Sequence, residues 1–439
     1  MSSRSLPASR RGARWILATG LALCVAAVIA VLGGPAAATP PSPFYVPPAS
    51  YSSEAGAIVR TEPMSVLIAS PSGQWPLPAQ RVMYTSRLQD DTPTAVTGTF
   101  IDAAGPWQGP GPRPTVVIAP GTVGQGDQCA ASAAFPIGLN ADLASLSISA
   151  NQEALSAASW NALGARVFVT DYIGLGTPGI HTYTNRVEQA HAVLDGARAA
   201  AALTGGDTAA PLLLWGYSQG GGATAAAAEL QPGYAPELNL KGTWAGAPTA
   251  DLTEIIPHID GTLIAAAIGF SFNGLLARHP ELSGLLDARI SPQGHALLGE
   301  LENECIADVI FKHPFAWAAD FTTDSRPIMD HIREVPEAAA ILDAQRIGRL
   351  TPTSPVLITH GINDDTVPYG QGRRLADDWC ALGATVTFRT NDLPPILPKA
   401  TLPNHFGPEI IDAYIDQDNA FGYLLERLAG TPIDGCTSN

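Results

Sequence analysis

The sequence predicts an α/β fold: a mostly parallel central sheet flanked by helices, interrupted late by a large helical insertion. Three observations predict it. Short apolar runs such as 115–119 and 212–215 read as strands buried on both faces. Such runs alternate with helical stretches, as in a doubly wound parallel sheet. One run then passes through Gly216-Tyr217-Ser218-Gln219-Gly220 into the strong helix former 223–230, a strand, sharp turn and helix in succession.

The chain divides as 1–38, 39–250, 251–350 and 351–439. The first segment reads as a secretory signal peptide. Arg4, Arg10, Arg11 and Arg14 form a basic region, residues 15–32 are almost wholly apolar, and Pro35-Ala36-Ala37-Ala38 offers small residues for cleavage after Ala38. Ala13 and Arg14 stand where a twin-arginine signal has an apolar pair, Cys24 lacks a lipoprotein box, and no stop-transfer flank follows. The localisation expected is therefore secreted or associated with the cell envelope. Cleavage removes four arginines and no acid, leaving 20 Lys+Arg against 40 Asp+Glu, a net charge of −20. That balance excludes nucleic acid as a partner, because a phosphate backbone demands a basic surface. With 46% hydrophobic and 15% charged residues in 439, the chain can bury a large core.

Residues 39–250 form the first part of the core. Residues 39–60 are rich in Pro, Ser and Ala and read as an arm over the domain. Runs 81–86 and 94–100 flank the polar turn 89–93 and predict a hairpin at a sheet edge. Strand 115–119 leads into Pro120-Gly121-Thr122-Val123-Gly124-Gln125-Gly126-Asp127-Gln128-Cys129, a loop without the spacing of a phosphate-binding motif. Strand 165–172 is followed by a helix over 186–203, on which His191 reads as structural, then the elbow strand, then strand 242–248. From 251 to 350 helical patterns run over 263–268, 282–286, 300–311 and 336–342 with no strand alternation, which reads as a cap. Its histidines His258, His279, His295, His313 and His331 lack ligand spacing, and nothing in the sequence points to a metal. The core resumes over 351–439, with strand 354–359, a helix over 370–382, strand 384–389 and a final helix from about 409.

Ser218, Asp364 and His405 follow one another in the order Ser…Asp…His, each after a strand, which is the order of an α/β-hydrolase triad. A serine hydroxyl is a weak nucleophile until a base takes its proton. A neutral imidazole performs this and returns the proton to the leaving group, while a carboxylate fixes its tautomer. Asp364 is preferred to its neighbour Asp365 because it stands three residues before Val367-Pro368. His360 precedes the acid and breaks the order. The N–H of Gln219, together with one from the Thr122 loop, is the expected oxyanion hole.

The elbow 216–220, Gly-Asp-Gln-Cys at 126–129, Asp-Asp-Thr-Val-Pro-Tyr at 364–369 and Asn404-His405 together resemble secretory lipases of the Candida lipase A type. The likeness runs from about residue 40 to the C-terminus and includes the helical insertion before the acid. It implies an α/β-hydrolase core under a helical cap, lipase or esterase activity on lipid or small esters, no cofactor, and transient contact of the cap with a lipid interface. Counting alone leaves three pairings for Cys129, Cys305, Cys380 and Cys436. The resemblance implies Cys129–Cys305 and Cys380–Cys436. It also marks a departure, since the fungal lipase carries an acidic side chain where Gly121-Thr122-Val123 stands here. Two rivals remain: acyl transfer to a cell-envelope alcohol through the same acyl-enzyme, and a non-catalytic binding protein on the hydrolase scaffold.

Overall fold

The computed structural model describes residues 42–68, 75–136, 138–142, 147–150 and 152–439. The expected signal peptide at 1–38 lies outside the described residues. The first three strands, β1 (Ile58–Val66), β2 (Leu77–Arg87) and β3 (Pro93–Ile101), pair antiparallel in succession. Next come β4 (Thr115–Ala119), a separate small hairpin of β5 (Leu139–Asp142) and β6 (Ser147–Ala150), and β7 (Arg166–Thr170). The chain continues through β8 (Pro211–Tyr217), β9 (Asn239–Gly246), β10 (Val356–Gly361), β11 (Val386–Asn391) and β12 (Cys436–Ser438). Among the described residues one ten-stranded sheet forms in the order β1-β2-β3-β7-β4-β8-β9-β10-β11-β12. It is parallel from β7 onward.

Strands β4, β8 and β10 are buried along their whole length because helices cover both faces. Alternate residues divide between two cores, as the period of a strand demands. Val117, Ala119, Leu212 and Leu214 face α2 (Arg186–Leu203), α3 (Gln219–Tyr234) and α10 (Tyr369–Ala381). Val116, Ile118, Leu213 and Trp215 face α1 (Ala154–Ala162) and α11 (Ala420–Leu428). Trp160 of α1 stacks on Phe421 of α11 with ring centres 4.1 Å apart.

The insertion between β9 and β10 contains α4 (Leu252–Ile259), α5 (Ile268–Arg278), α6 (Pro292–Leu301), α7 (Ile306–Lys312), α8 (Ile328–Arg333) and α9 (Pro336–Ala344). Leu252, Ile256, Phe272, Ile332 and Leu342 share one apolar cluster there.

Three expectations are corrected. The β2–β3 hairpin is not the sheet edge, because β1 pairs outside it. That strand, IVRTEPMSV, is exposed or half-buried except at Val66, so it lacks apolar alternation, and its proline is tolerated at an edge. The expected helix over 300–311 is two helices, α6 and α7, broken where Cys305 is bonded to Cys129 and the Glu304 carbonyl accepts the N–H of Gln125 at 2.9 Å. The final stretch holds α11 and β12 beyond the helical turns that follow His405. The Cys380–Cys436 disulfide ties β12 to α10.

Candidate active site

The chain leaves β4 to build β7 on one side of it and β8 on the other, so a crevice opens at the C-terminal ends of β4 and β8. Their register pairs Ile118 with Trp215 and Ala119 with Gly216, which brings the Thr122 loop beside the Ser218 turn. Ser218 has φ 59° and ψ −121°, a strained backbone for an L residue, held by its N–H donating to the Gly246 carbonyl at 2.9 Å. Helix α3 starts at once with Gln219. The flanking glycines are required by space: a Cβ on Gly216 meets the Gly220 carbonyl oxygen at 2.2 Å, and one on Gly220 meets that of Ala119 at 2.0 Å.

Asp364 follows β10 and His405 follows β11, neighbouring strands of the sheet. Nδ1 of His405 donates to Asp364 Oδ2 at 2.7 Å, and both side chains are buried. The other carboxylate oxygen accepts the N–H groups of Thr366 and Val367, each at 2.9 Å. Burial by itself pushes the Asp364 carboxyl up, but His405, His360 and the Val367 N–H together hold it below the usual carboxylate range. Tyr217, next to Ser218, donates its hydroxyl to the His405 carbonyl at 2.7 Å, which fixes His405 against the elbow. Among the described residues nothing hydrogen-bonds to Nε2 of His405, so no structural contact occupies that atom.

Asp365 points elsewhere. Its carboxylate accepts Asn404 Nδ2 at 2.9 Å and so steadies the turn carrying His405. His360 is buried with Nε2 on the Val367 carbonyl at 3.0 Å, and burial lowers its pKa. Its contacts are with the loop that carries Asp364. His191 stacks on Tyr234 at 3.9 Å, away from this chemistry.

As the first residue of α3, Gln219 has an N–H in the turn that no intrahelical carbonyl can satisfy. In the loop after β4, the Gly121 N–H is taken by Glu153 Oε1 at 3.2 Å. Thr122 spends its hydroxyl on Tyr183 at 2.7 Å and its carbonyl on Gln152 Nε2 at 3.1 Å. Among the described residues no acceptor takes the Thr122 N–H.

The model of the secretory lipase family matches residues 139–435, well over half of the chain. The chain belongs to the secretory lipase family. A Mycobacterium tuberculosis relative named "probable inactive lipase" is 29% identical over 89% of this chain and 82% of its own length. A secreted triacylglycerol lipase of Malassezia restricta is 26% identical over 89% of this chain and 80% of its own. The closed-state structure of Candida antarctica lipase A superposes with a TM-score of 0.73 at 20% identity, covering 91% of each chain. This lipase is thus an ester hydrolase with an α/β-hydrolase fold.

The candidate site of this lipase also brings in residues that carried no sequence signal. His258 of the insertion holds the Asp364 carbonyl at 3.0 Å through Nε2. His181 lies against Gln219, with Nε2 accepting from the Gln219 amide at 3.0 Å and Nδ1 donating to the Ile173 carbonyl at 2.9 Å. Burial pushes His181 down to about 4, so the ring is neutral near pH 7 and can accept. Glu153 supports the Thr122 loop from below through Gly121.

Proposed function

We propose that this secretory lipase cleaves acyl esters of lipid type, triacylglycerols among them, through an acyl-enzyme on Ser218. The reading rests on one contact: the buried His405–Asp364 hydrogen bond beside a strained elbow serine. Ser218 Oγ attacks the ester carbonyl while His405 Nε2 takes its proton, and Asp364 stabilises the imidazolium. The tetrahedral oxyanion rests on the N–H groups of Gln219 and Thr122, each donor lowering the barrier by about 2.7–4 kcal/mol. Collapse breaks the bond to the alcohol, which leaves with the proton from His405. Water, deprotonated by the same base, then frees the acid and restores Ser218. No step requires a cofactor.

Residues 251–350 act as a cap over core segments 39–250 and 351–439. An apolar cavity of about 70 Å³ among Ile268, Phe272, Ile290, Leu298 and Ile328 supports a lipid-facing role for the cap. So do exposed Phe311, Phe315, Trp317, Ile396, Leu397 and Leu402, where Lys399 packs over the Trp317 ring at 4.5 Å. This surface meets the lipid interface transiently. Export proceeds by cleavage after Ala38. The relative named an inactive lipase favours a second reading, a non-catalytic scaffold.

A fluorophosphonate label and p-nitrophenyl esters from acetate to palmitate separate the two. Labelling at Ser218 and hydrolysis that vanishes in Ser218→Ala support catalysis, and rising rates toward palmitate support a lipid acyl chain. A chain that neither labels nor hydrolyses is the scaffold, and activity that survives Ser218→Ala overturns the triad.

A further inference from the structure

We propose that Glu300, Glu304 and His313 bind a zinc-like divalent cation, at the point where the helical insertion grips the loop after β4. Glu300 is on α6, Glu304 in the turn after it, and His313 at the C-terminal end of α7. Their ligand atoms lie within 4.8 Å of one another.

The geometry is that of ligands aimed at a shared centre. Glu300 Oε2 is 3.4 Å and Glu304 Oε2 is 3.9 Å from His313 Nε2. Yet among the described residues neither Glu304 Oε2 nor His313 Nε2 accepts from a donor group, although the Glu304 side chain is only 3% exposed, and the side chain that the Glu304 carboxyl meets besides Lys312 is a second acid, Glu300. A buried carboxylate oxygen and an imidazole nitrogen that converge without bonding one another lack a satisfying atom between them. Lys312 does not supply it, because its Nζ engages the opposite oxygens, Glu304 Oε1 at 2.8 Å and Glu300 Oε1 at 3.8 Å.

A tetrahedral zinc ion, with bonds to nitrogen and oxygen of about 2.0–2.2 Å, spaces its ligands about 3.4 Å apart. The Glu300–His313 distance already has that value, and the Glu304–His313 distance of 3.9 Å lies close to it. An imidazole among the donors selects zinc over calcium or magnesium, which take oxygen. Water completes the fourth position.

The cation is a staple. The Glu304 carbonyl accepts the N–H groups of Gln125 at 2.9 Å and Gly126 at 3.3 Å, and Ile306 donates its N–H to Val123 at 2.9 Å. Fixing the Glu304 side chain therefore fixes the loop that carries Thr122. The site stands whether or not Ser218 is the nucleophile.

The test uses the exported chain, stripped of metal with a chelator and titrated with zinc chloride by calorimetry, with thermal melts alongside. One zinc ion per chain and a rise in Tm are expected, with calcium and magnesium leaving Tm unchanged. Glu300→Gln and His313→Gln, at partly exposed positions, are expected to melt like the parent without zinc, to weaken zinc binding at least tenfold and to lose the Tm rise. Absence of saturable zinc binding overturns the proposal. So does zinc binding of equal affinity in both variants, which places the ion elsewhere, or an equal Tm rise with calcium.

Discussion

Two adjacent carboxylates show how finely the site is divided. Asp364 Oδ2 meets the imidazole at 2.7 Å, whereas Asp365 Oδ2 meets the Asn404 amide at 2.9 Å one residue before that imidazole. In the proposed mechanism Asp364→Asn removes the charge that stabilises the imidazolium and permits the wrong tautomer, so kcat on a soluble p-nitrophenyl ester is expected to fall by about 10⁴. Asp365→Asn only loosens the turn carrying the base, an effect of roughly 10²-fold or less. Equal losses in the two variants would reverse the assignment. At this scale the sequence was legible where a residue stood at a strand end with its own marker: the elbow glycines around Ser218, Val367-Pro368 after Asp364, the late Asn-His pair. His258 and His181 were not legible, because what they do depends on partners 106 and 38 residues away in the chain. Helical spacing around them carries no trace of those contacts.

Strands covered on both faces announce themselves, since every residue of β4 and β8 must be apolar or small. Edge elements do not. Strand β1 carries Arg60, Thr61, Glu62 and Pro63, and β12 is three exposed residues, so backbone pairing rather than side-chain burial places them. The break between α6 and α7 is likewise set from outside the segment, by the loop after β4 and by the Cys129–Cys305 bond. That bond spans 176 residues and joins the candidate oxyanion loop to the insertion, while Cys380–Cys436 spans 56 and joins α10 to a terminal strand. In the chain-entropy model each contributes about 4–5 kcal/mol. Their losses differ in kind, because β12 can detach locally while the loop after β4 cannot leave without opening the site. Cys129→Ser/Cys305→Ser is expected to lower Tm and to expose the loop to proteolysis, with Cys380→Ser/Cys436→Ser lowering Tm less. Thermal melts of the two double variants, with limited proteolysis, check the order. A larger Tm loss at the terminal strand would contradict it.

Over the whole molecule the decisive quantity is proton uptake, in a chain whose formal net charge is −16. Burial raises Glu153 to about 7, against the opposing Gly121 N–H, and raises Glu409 to about 8, with the charge of Glu153 adding to it. Both groups have an ordinary value of 4.5, so between about 4.5 and 8 the folded chain holds protons that the unfolded chain has released. Stability must then fall as pH rises through that interval. Asp364 works in the opposite sense: its lowered pKa gives stability that is lost only as pH falls below the ordinary carboxylate range. Melts between pH 5 and pH 8 cover the interval in which this pair titrates, together with Glu304, raised to about 7, Asp127 and Asp412, raised to about 6, and His181, lowered to about 4 and acting in the opposite sense. Growing negative charge also destabilises the fold toward pH 8, so the slope of the parent alone does not assign the effect. Glu409→Gln does. It removes the group raised furthest and relieves Glu153, so the variant is expected to match the parent at pH 5 and to melt higher at pH 8. The gain should be on the order of 2–4 °C for each kcal/mol recovered. A slope unchanged by Glu409→Gln would mean that general charge repulsion or the other raised carboxyls, and not the Glu153–Glu409 pair, set the alkaline limit of the fold.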